Sequence, residues 1–251
     1  MPPLRDSASS SRGQQRKSES DFKPTGRGHH HNAETEFAPT FRGVVHSTHD
    51  ALLIIEACLQ GKLHHVPRRP HDKERTDMIK SGSIFVYEEN ASGIKRWTDG
   101  LTWSPSRIMG NFLVYRELDK PFPPGEKKRA VKRKRTEDDV KTEPKPSPPV
   151  EEQASKNGQS PNNFAASLSA DDQRRLCGSL VDSYGFKEGG LIKKTLSIRF
   201  KQATHHLISY YTLEDVVDSS LGRPIFDKSL TGVFIRRELV DEQHFRSNVQ
   251  D

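Results

Sequence analysis

Thr195-Leu196-Ser197-Ile198-Arg199-Phe200, followed after Gln202-Ala203 by His206-Leu207-Ile208-Ser209-Tyr210-Tyr211, decides the fold. The first run alternates apolar and polar residues, as a half-buried strand does, and Gln202-Ala203 can turn the chain into the second. The region around them, Leu191 to Val240, is about 50 residues and marginal for independent stability. Its strands have unpaired edges unless another region supplies partners. The only other concentration of apolar residues runs from Phe41 to Leu118. There, Ile84-Phe85-Val86-Tyr87 and Phe112-Leu113-Val114-Tyr115 read as strands, with Asn90-Ala91-Ser92-Gly93 as a turn. The economical solution is one sheet built from both regions, with the chain between them looping out. Val233-Phe234-Ile235-Arg236-Arg237-Glu238-Leu239 reads as a further strand, and it shares Arg-Glu-Leu with the end of Phe112 to Leu118.

Helices are expected to be short. Ser47 and Thr48 can cap one whose first turn carries Asp50. Ala51, Leu52, Ile54, Ile55, Cys58 and Leu59 recur at helical spacing, and Gly61 ends the run. A second helix should follow Asp72 and stop near Gly82, and Thr212-Leu213-Glu214-Asp215 opens a third with a capping pattern. Asp171 to Val181 is amphipathic and fits an isolated or a docked helix. The fold class expected is α+β: one sheet-based unit assembled from two sequence blocks, with short helices and a long disordered linker. Residues 1–39 form a disordered leader rich in Ser, Arg, Gly and His, and 40–119 the first block. Residues 120–188 form a disordered basic and Pro-rich linker, 189–240 the second block, and 241–251 a tail. Only 31% of the residues are hydrophobic and 29% are charged, too polar a balance to bury apolar surface along the whole chain.

Both tryptophans lie in Lys95-Arg96-Trp97-Thr98-Asp99-Gly100-Leu101-Thr102-Trp103-Ser104-Pro105-Ser106-Arg107. Asp99-Gly100 is a tight-turn signal, because glycine accepts positive φ and Asp bonds its own backbone. Ser104-Pro105 reads as an N-cap followed by proline at the first helical position. Basic residues, aromatics and a turn would thus lead into a helix start whose free N–H groups suit phosphate oxygens. The bland alternative is a hairpin stapled by tryptophans with incidental surface charge. The net charge of +6 favours polyanionic partners.

This segment resembles the signature of the WOPR-box family of fungal transcription regulators, the gluconate-transport-inducer and morphological-switch regulators. The resemblance extends through Thr40-Phe41-Arg42-Gly43, Asp50 to Ile54, Arg68-Arg69-Pro70, Ser81 to Val86 and Gly110 to Leu118. It resumes in Leu191 to Leu196 and His205 to Tyr211, and covers roughly half the chain. It implies two blocks that fold together, act in the nucleus and bind an A/T-rich duplex site, partly through the minor groove. It also implies regulation of morphology, nutrient response or sexual development. An arginine gains affinity in a narrow, strongly negative A/T-rich minor groove. The expected DNA contacts are Arg68, Arg69, Arg96 and Arg107, with Lys193 and Lys194 from the second block. Trp97, Asp99, Gly100, Trp103 and Ser104 are expected to shape the loop. Lys95-Arg96-Trp97-Thr98 fits a basophilic kinase, and the resemblance implies cyclic-AMP-dependent kinase acting at Thr98. Many family members continue into a long polar tail, whereas this chain ends shortly after Leu239, so its output is expected to rely on other transcription regulators. The alternative function is a nuclear protein–protein adaptor without sequence-specific DNA binding of its own.

Lys127, Lys128, Arg129, Lys132, Arg133, Lys134 and Arg135 place seven cations in nine residues, read as a signal for a nuclear import receptor. No cofactor and no enzymatic activity are expected, since the chain shows no Walker loop, dinucleotide fingerprint, nucleophile elbow or paired metal-ligand spacing. His29-His30-His31 reads as surface polarity. His64-His65 and His205-His206 read as satisfied or solvated, because adjacent strand residues point to opposite faces. Cys58 and Cys177 read as buried small hydrophobes in a reducing compartment. The longest apolar run, Ala51 to Ile55, is too short to span a bilayer, so a soluble protein without a membrane partner is expected.

Overall fold

The computed structural model describes residues 37–123, 168–181 and 183–250. Its centre is a six-stranded antiparallel sheet in the order β1-β2-β6-β5-β4-β3. The strands are β1 Phe41–Arg42, β2 Ser83–Glu88, β3 Arg107–Met109, β4 Phe112–Arg116, β5 Ile192–Phe200 and β6 Ala203–Tyr211. The expected α+β unit made from two blocks is what the chain forms. The β5–β6 hairpin of the second block lies in the middle, with β2 on one side and β4 on the other. Phe85 stands opposite Ile208, Leu196 opposite Leu207, and Leu113 opposite Thr195.

Strand alternation divides the apolar residues between two faces. The inner face carries Ile84, Val86, Val114, Ile192, Leu196, Ile198 and Leu207, in one cluster with the apolar residues of helix α1, Thr48–Leu59. Ser47 Oγ accepts from Asp50 N–H while the Asp50 carboxylate accepts from Ser47 N–H, so the capping box forms as its residues allow. The outer face carries Phe85, Tyr87, Ile208 and Tyr210, packed with Phe37, Val66, Ile79 and Ile94 and flanked by Trp97, Leu101 and Trp103. Helix α2, Asp72–Met78, lies ahead of β2. No helix among the described residues is long and apolar enough to cross a membrane.

The structure departs from expectation in several places. Ser104-Pro105 starts no helix. Ser104 N–H donates to the Arg116 carbonyl and Ser104 Oγ accepts from Arg116 N–H, which draws the chain alongside β4 and into β3. Asn90 to Gly93 is no simple turn: Asn90, Ala91 and Ser92 lie within a helical turn, α3 Glu89–Ser92, which Gly93 ends at φ 67°. Val233 to Leu239 forms no strand: Val233 and Leu239 are buried against the inner-face cluster, while Arg236 grips Glu56 of α1.

Residues outside the two expected blocks also pack on the sheet. Within the expected leader, Phe37 stacks on Phe85 with ring centroids 5.6 Å apart. The helix expected near Asp171 to Val181 forms as α4 (Ala170–Cys177) and is docked on the sheet: Arg116 donates to the Leu180 and Val181 carbonyls, and Tyr211 OH donates to the Leu176 carbonyl. The expected tail is fastened by Asn111, whose Oδ1 accepts from the N–H groups of Arg246 and Ser247. One helix cannot cover the inner face, so Leu168, Leu176, Phe245 and Val249 from these segments complete it. The cation run from Lys127 to Arg135 lies outside the described residues, as does His29-His30-His31.

Candidate nucleic-acid interface

The segment from Lys95 to Arg107 is built around one buried carboxylate. Asp99 Oδ1 accepts from Leu101 N–H at 3.2 Å and from Trp103 Nε1 at 2.9 Å. Its Oδ2 accepts from Lys193 Nζ at 2.9 Å and from Tyr210 OH at 2.7 Å. Tyr210 OH accepts in turn from Trp97 Nε1 at 2.7 Å. Burial alone would raise the Asp99 pKa, but the Lys193 ammonium and these hydrogen bonds hold it below the usual carboxylate value. Burial and Asp99 push the Tyr210 phenol well above its ordinary value. Trp97 also stacks on Tyr87, with centroids 5.6 Å apart. Gly100 has φ +80°, and a Cβ there would lie 2.8 Å from an Arg75 guanidinium nitrogen. Asp99 is thus far more than the turn residue its sequence suggests.

This network relocates several expected contacts. Lys193 is interior, its ammonium held between Asp99 and the Trp103 ring, 4.3 Å from the ring centroid. Lys194 points to the other face, where its Nζ donates to the carbonyls of Val45 and His46, each at 2.9 Å. Burial pulls the Lys194 pKa down to about 7. Neither ammonium reaches the surface, because their strand lies in the middle of the sheet. Arg107 stands opposite Val114, an inner-face residue, and donates to Tyr184 OH at 3.1 Å. It therefore projects from the face opposite the tryptophan segment.

Arg69, Arg96 and Thr98 come together, and all three are exposed. Arg69 donates to Thr98 Oγ1 at 3.1 Å and to the Arg96 carbonyl at 3.4 Å. Beside them, Arg68 makes a two-pronged pair with Glu74 at 2.6 and 2.7 Å and lies over the Phe37 ring. Hydrogen bonding from Arg68 holds the Glu74 carboxyl at about 2. Arg68, Arg69, His71, Arg75 and Thr98 line a depression of about 510 Å³. Sequence reasoning passed over Arg75. Its guanidinium pairs with Asp72 at 3.0 Å and its Nε is buried without a partner. The i,i+3 spacing from Asp72 within a short helix was the available signal.

Below the loop that carries Arg68 and Arg69, His65 Nε2 lies 3.2 Å from His205 Nδ1. Burial draws His205 from 6.5 down to about 4, with His65 adding to the fall, and burial lowers His65 as well. Below pH 6.5 the unfolded chain takes up protons that the folded pair resists, so stability should decline as pH falls from about 6.5 towards 4. Urea midpoints at pH 7 and pH 5 should show that decline, and His205→Phe should flatten it. A slope equal in both proteins would disprove this origin. His206, on the opposite face, lies 2.7 Å from Ser197 Oγ and 3.3 Å from Glu89. That chain has the order of a nucleophile triad, but Glu89 is also paired with Lys95 and the residues lie across an open sheet face. It serves as a bracket between α3 and β5. Among the described residues no cluster of three or more side chains could hold a metal. Burial pushes the Cys58 thiol up to about 12 and raises that of Cys177, as expected of packing residues.

A model of the Gti1/Pac2 family matches residues 40–212. The chain belongs to that family. The Gti1/Pac2 match spans both blocks of the sheet together with the segment between them. The global transcription regulator Sge1 of Fusarium oxysporum f. sp. lycopersici is 56% identical over 212 residues, covering 82% of this chain and 63% of that protein. The gluconate transport inducer 1 of Schizosaccharomyces pombe is 31% identical, with 80% of this chain and 45% of that protein covered. The chain thus spans a little under two thirds of the length of its Sge1 relative. The WOPR domain of Wor1 from Candida albicans, solved in complex with a 13-base-pair double-stranded DNA, superposes with a TM-score of 0.50 at 32% identity. That match covers 82% of this chain and 98% of the Wor1 domain.

Proposed function

We propose that this chain is a sequence-specific DNA-binding transcription regulator of fungal morphology, nutrient response or sexual development, working in the nucleus. The observation that carries the reading is that exposed Arg69, from the loop before α2, meets exposed Arg96 on the segment fixed from beneath by Asp99. A rigid loop gives up little entropy when it meets a duplex, so its arginines can contribute most of their contact energy. The family's regulators, and the Wor1 domain solved on DNA, support the same reading. Among the described residues the Arg69 side chain bonds to a hydroxyl and a carbonyl, both exchangeable for phosphate or base-edge acceptors. We assign these two arginines to an A/T-rich site read partly through its minor groove, where negative potential is concentrated. Arg68 supports them through Glu74 and Phe37.

The cation run from Lys127 to Arg135 supplies the import signal, and its receptor and other transcription regulators are the further partners. A basophilic kinase acting on Thr98 would set about −1.5 to −2 charges beside Arg69 and oppose DNA binding. Selection from a random duplex pool should enrich an A/T-rich site, with affinity falling steeply as salt rises. Arg69→Ala and Arg96→Ala should each weaken that site by roughly 1–3 kcal/mol, while Arg107→Ala should not. Binding that ignores both alanines in folded protein, or a pool without enrichment, would remove the proposal and favour an adaptor.

A further inference from the structure

The outer face of the sheet is covered at one end only. Trp97 and Trp103 close it over Tyr87, Tyr210 and Lys193, but among the described residues no such segment lies across its β3–β4–β5 end. There Ile108, Leu113 and Thr195 form one cross-strand row, and directly opposed residues share a face. Ile108 is 58% exposed and Leu113 39% exposed, large values for residues of their type. Ser197 and Arg199 continue this face along β5, and both are exposed.

Beside the row lies a groove of about 290 Å³ between the β3–β4 turn and the C-terminal segment. Asn111, by accepting from the backbone of Arg246 and Ser247, fixes where that segment passes. The ladder from β4 to β5 ends at Leu113 and Thr195. Further along the same edge, the Gln243 side-chain amide takes both the N–H and the carbonyl of Arg199, at 3.1 and 2.6 Å. Alternation along a strand turns the N–H and carbonyl of Ser197 towards this edge too, between those two partners. The groove lining includes Ser197, His244 and Arg246, and among the described residues it holds no carboxylate. The neighbouring Glu89 is already paired with Lys95 and His206.

We propose that this open half-face docks a short extended segment of another protein, one that carries a large apolar residue and acidic groups. The apolar side chain would cover Ile108 and Leu113. The segment's backbone would meet the edge of β5 at Ser197, and its acids would face Arg199, His244 and Arg246. A nucleic-acid backbone could use the cations but would leave Ile108 and Leu113 facing water. The peptide uses both: the exposed Ile108–Leu113 row decides against a bare polyanion, and charge complementarity with Arg199 and Arg246 makes the peptide acidic.

The test is selection of nonapeptides from a random displayed pool against the full chain. Peptides combining net negative charge with a large apolar residue should be enriched. A fluorescein-labelled copy should bind at least about tenfold more weakly to Ile108→Glu and to Arg246→Glu, each a surface change, with unchanged thermal midpoints. Hydrogen exchange of the unmodified chain should slow at residues 107–114 and 195–199 when that peptide is added. Enrichment of neutral or basic peptides, no enrichment, or binding that ignores both substitutions would overturn the proposal. So would Arg246→Glu weakening duplex binding as much as Arg96→Ala does, because the surface would then belong to the DNA interface.

Discussion

Asp99→Ala should cost the fold about 3–5 kcal/mol, the usual loss when one partner of a buried ion pair is removed. Asp99 is 3% exposed and Lys193 is 8% exposed, so the abandoned ammonium could not reach water without opening the tryptophan segment. Tyr210 OH and Trp103 Nε1 would lose their acceptor in the same stroke. Urea unfolding of the two proteins would read the difference directly. Adding Lys193→Met to Asp99→Ala should restore part of the stability, since two apolar neighbours tolerate each other better than one stranded charge. A loss under about 1 kcal/mol would show that the network does not hold the loop. DNA affinity should fall along with stability, because Arg96 is carried on the same segment.

Arg236→Ala should cost about 3 kcal/mol by the same logic on the opposite face of the sheet. Glu56 sits in the middle of α1 and is 1% exposed. Arg236 meets it with two guanidinium nitrogens, at 2.8 and 2.7 Å, and with its backbone N–H at 3.3 Å. Burial alone would raise the Glu56 carboxyl, yet Arg236 and Gln60 hold it below its usual value. Without Arg236 the carboxylate would have to protonate or drag α1 towards water. Thermal melts of Arg236→Ala should recover in Arg236→Ala/Glu56→Gln, which removes the charge but keeps the shape. Failure of that second change to help would place the loss elsewhere, for instance in contact with Phe200, whose ring lies under the guanidinium.

Most of the sheet was legible because its signals are local. The alternation from Thr195 to Phe200 and the run from Ile84 to Tyr87 set strand positions, and the Ser47–Asp50 pair set the start of α1. That the two blocks share one sheet was also legible, from the unpaired edges each would have alone. What escaped depends on distant residues. Arg236 sits in a run with the composition of a strand, and only Glu56, far away in sequence, makes it a clasp. Ser104-Pro105 has the chemistry of a helix cap, but Arg116 uses the serine to dock an extended segment. The site was half legible for the same reason. Arg69, Arg96 and Thr98 were chosen by their type, and they stand together on the surface. Lys193 and Lys194 were chosen by type too, yet a central strand turns one to each face and buries both. No count of charges along a sequence reveals that an ammonium has an interior carboxylate waiting for it.

The placing of the β5–β6 hairpin between β2 and β4 has a further consequence. Neither block can complete a core alone: β2 and β4 would each lose a neighbour, and the hairpin would lose both. The two halves are therefore complementary pieces, and being on one chain keeps each close to the other, an advantage that falls off only slowly with the length of chain between them. Cleaved between the two halves, ahead of Leu168, the protein should still assemble as one folded object in two chains. At high concentration, the hairpin of one molecule could equally well complete the sheet of another.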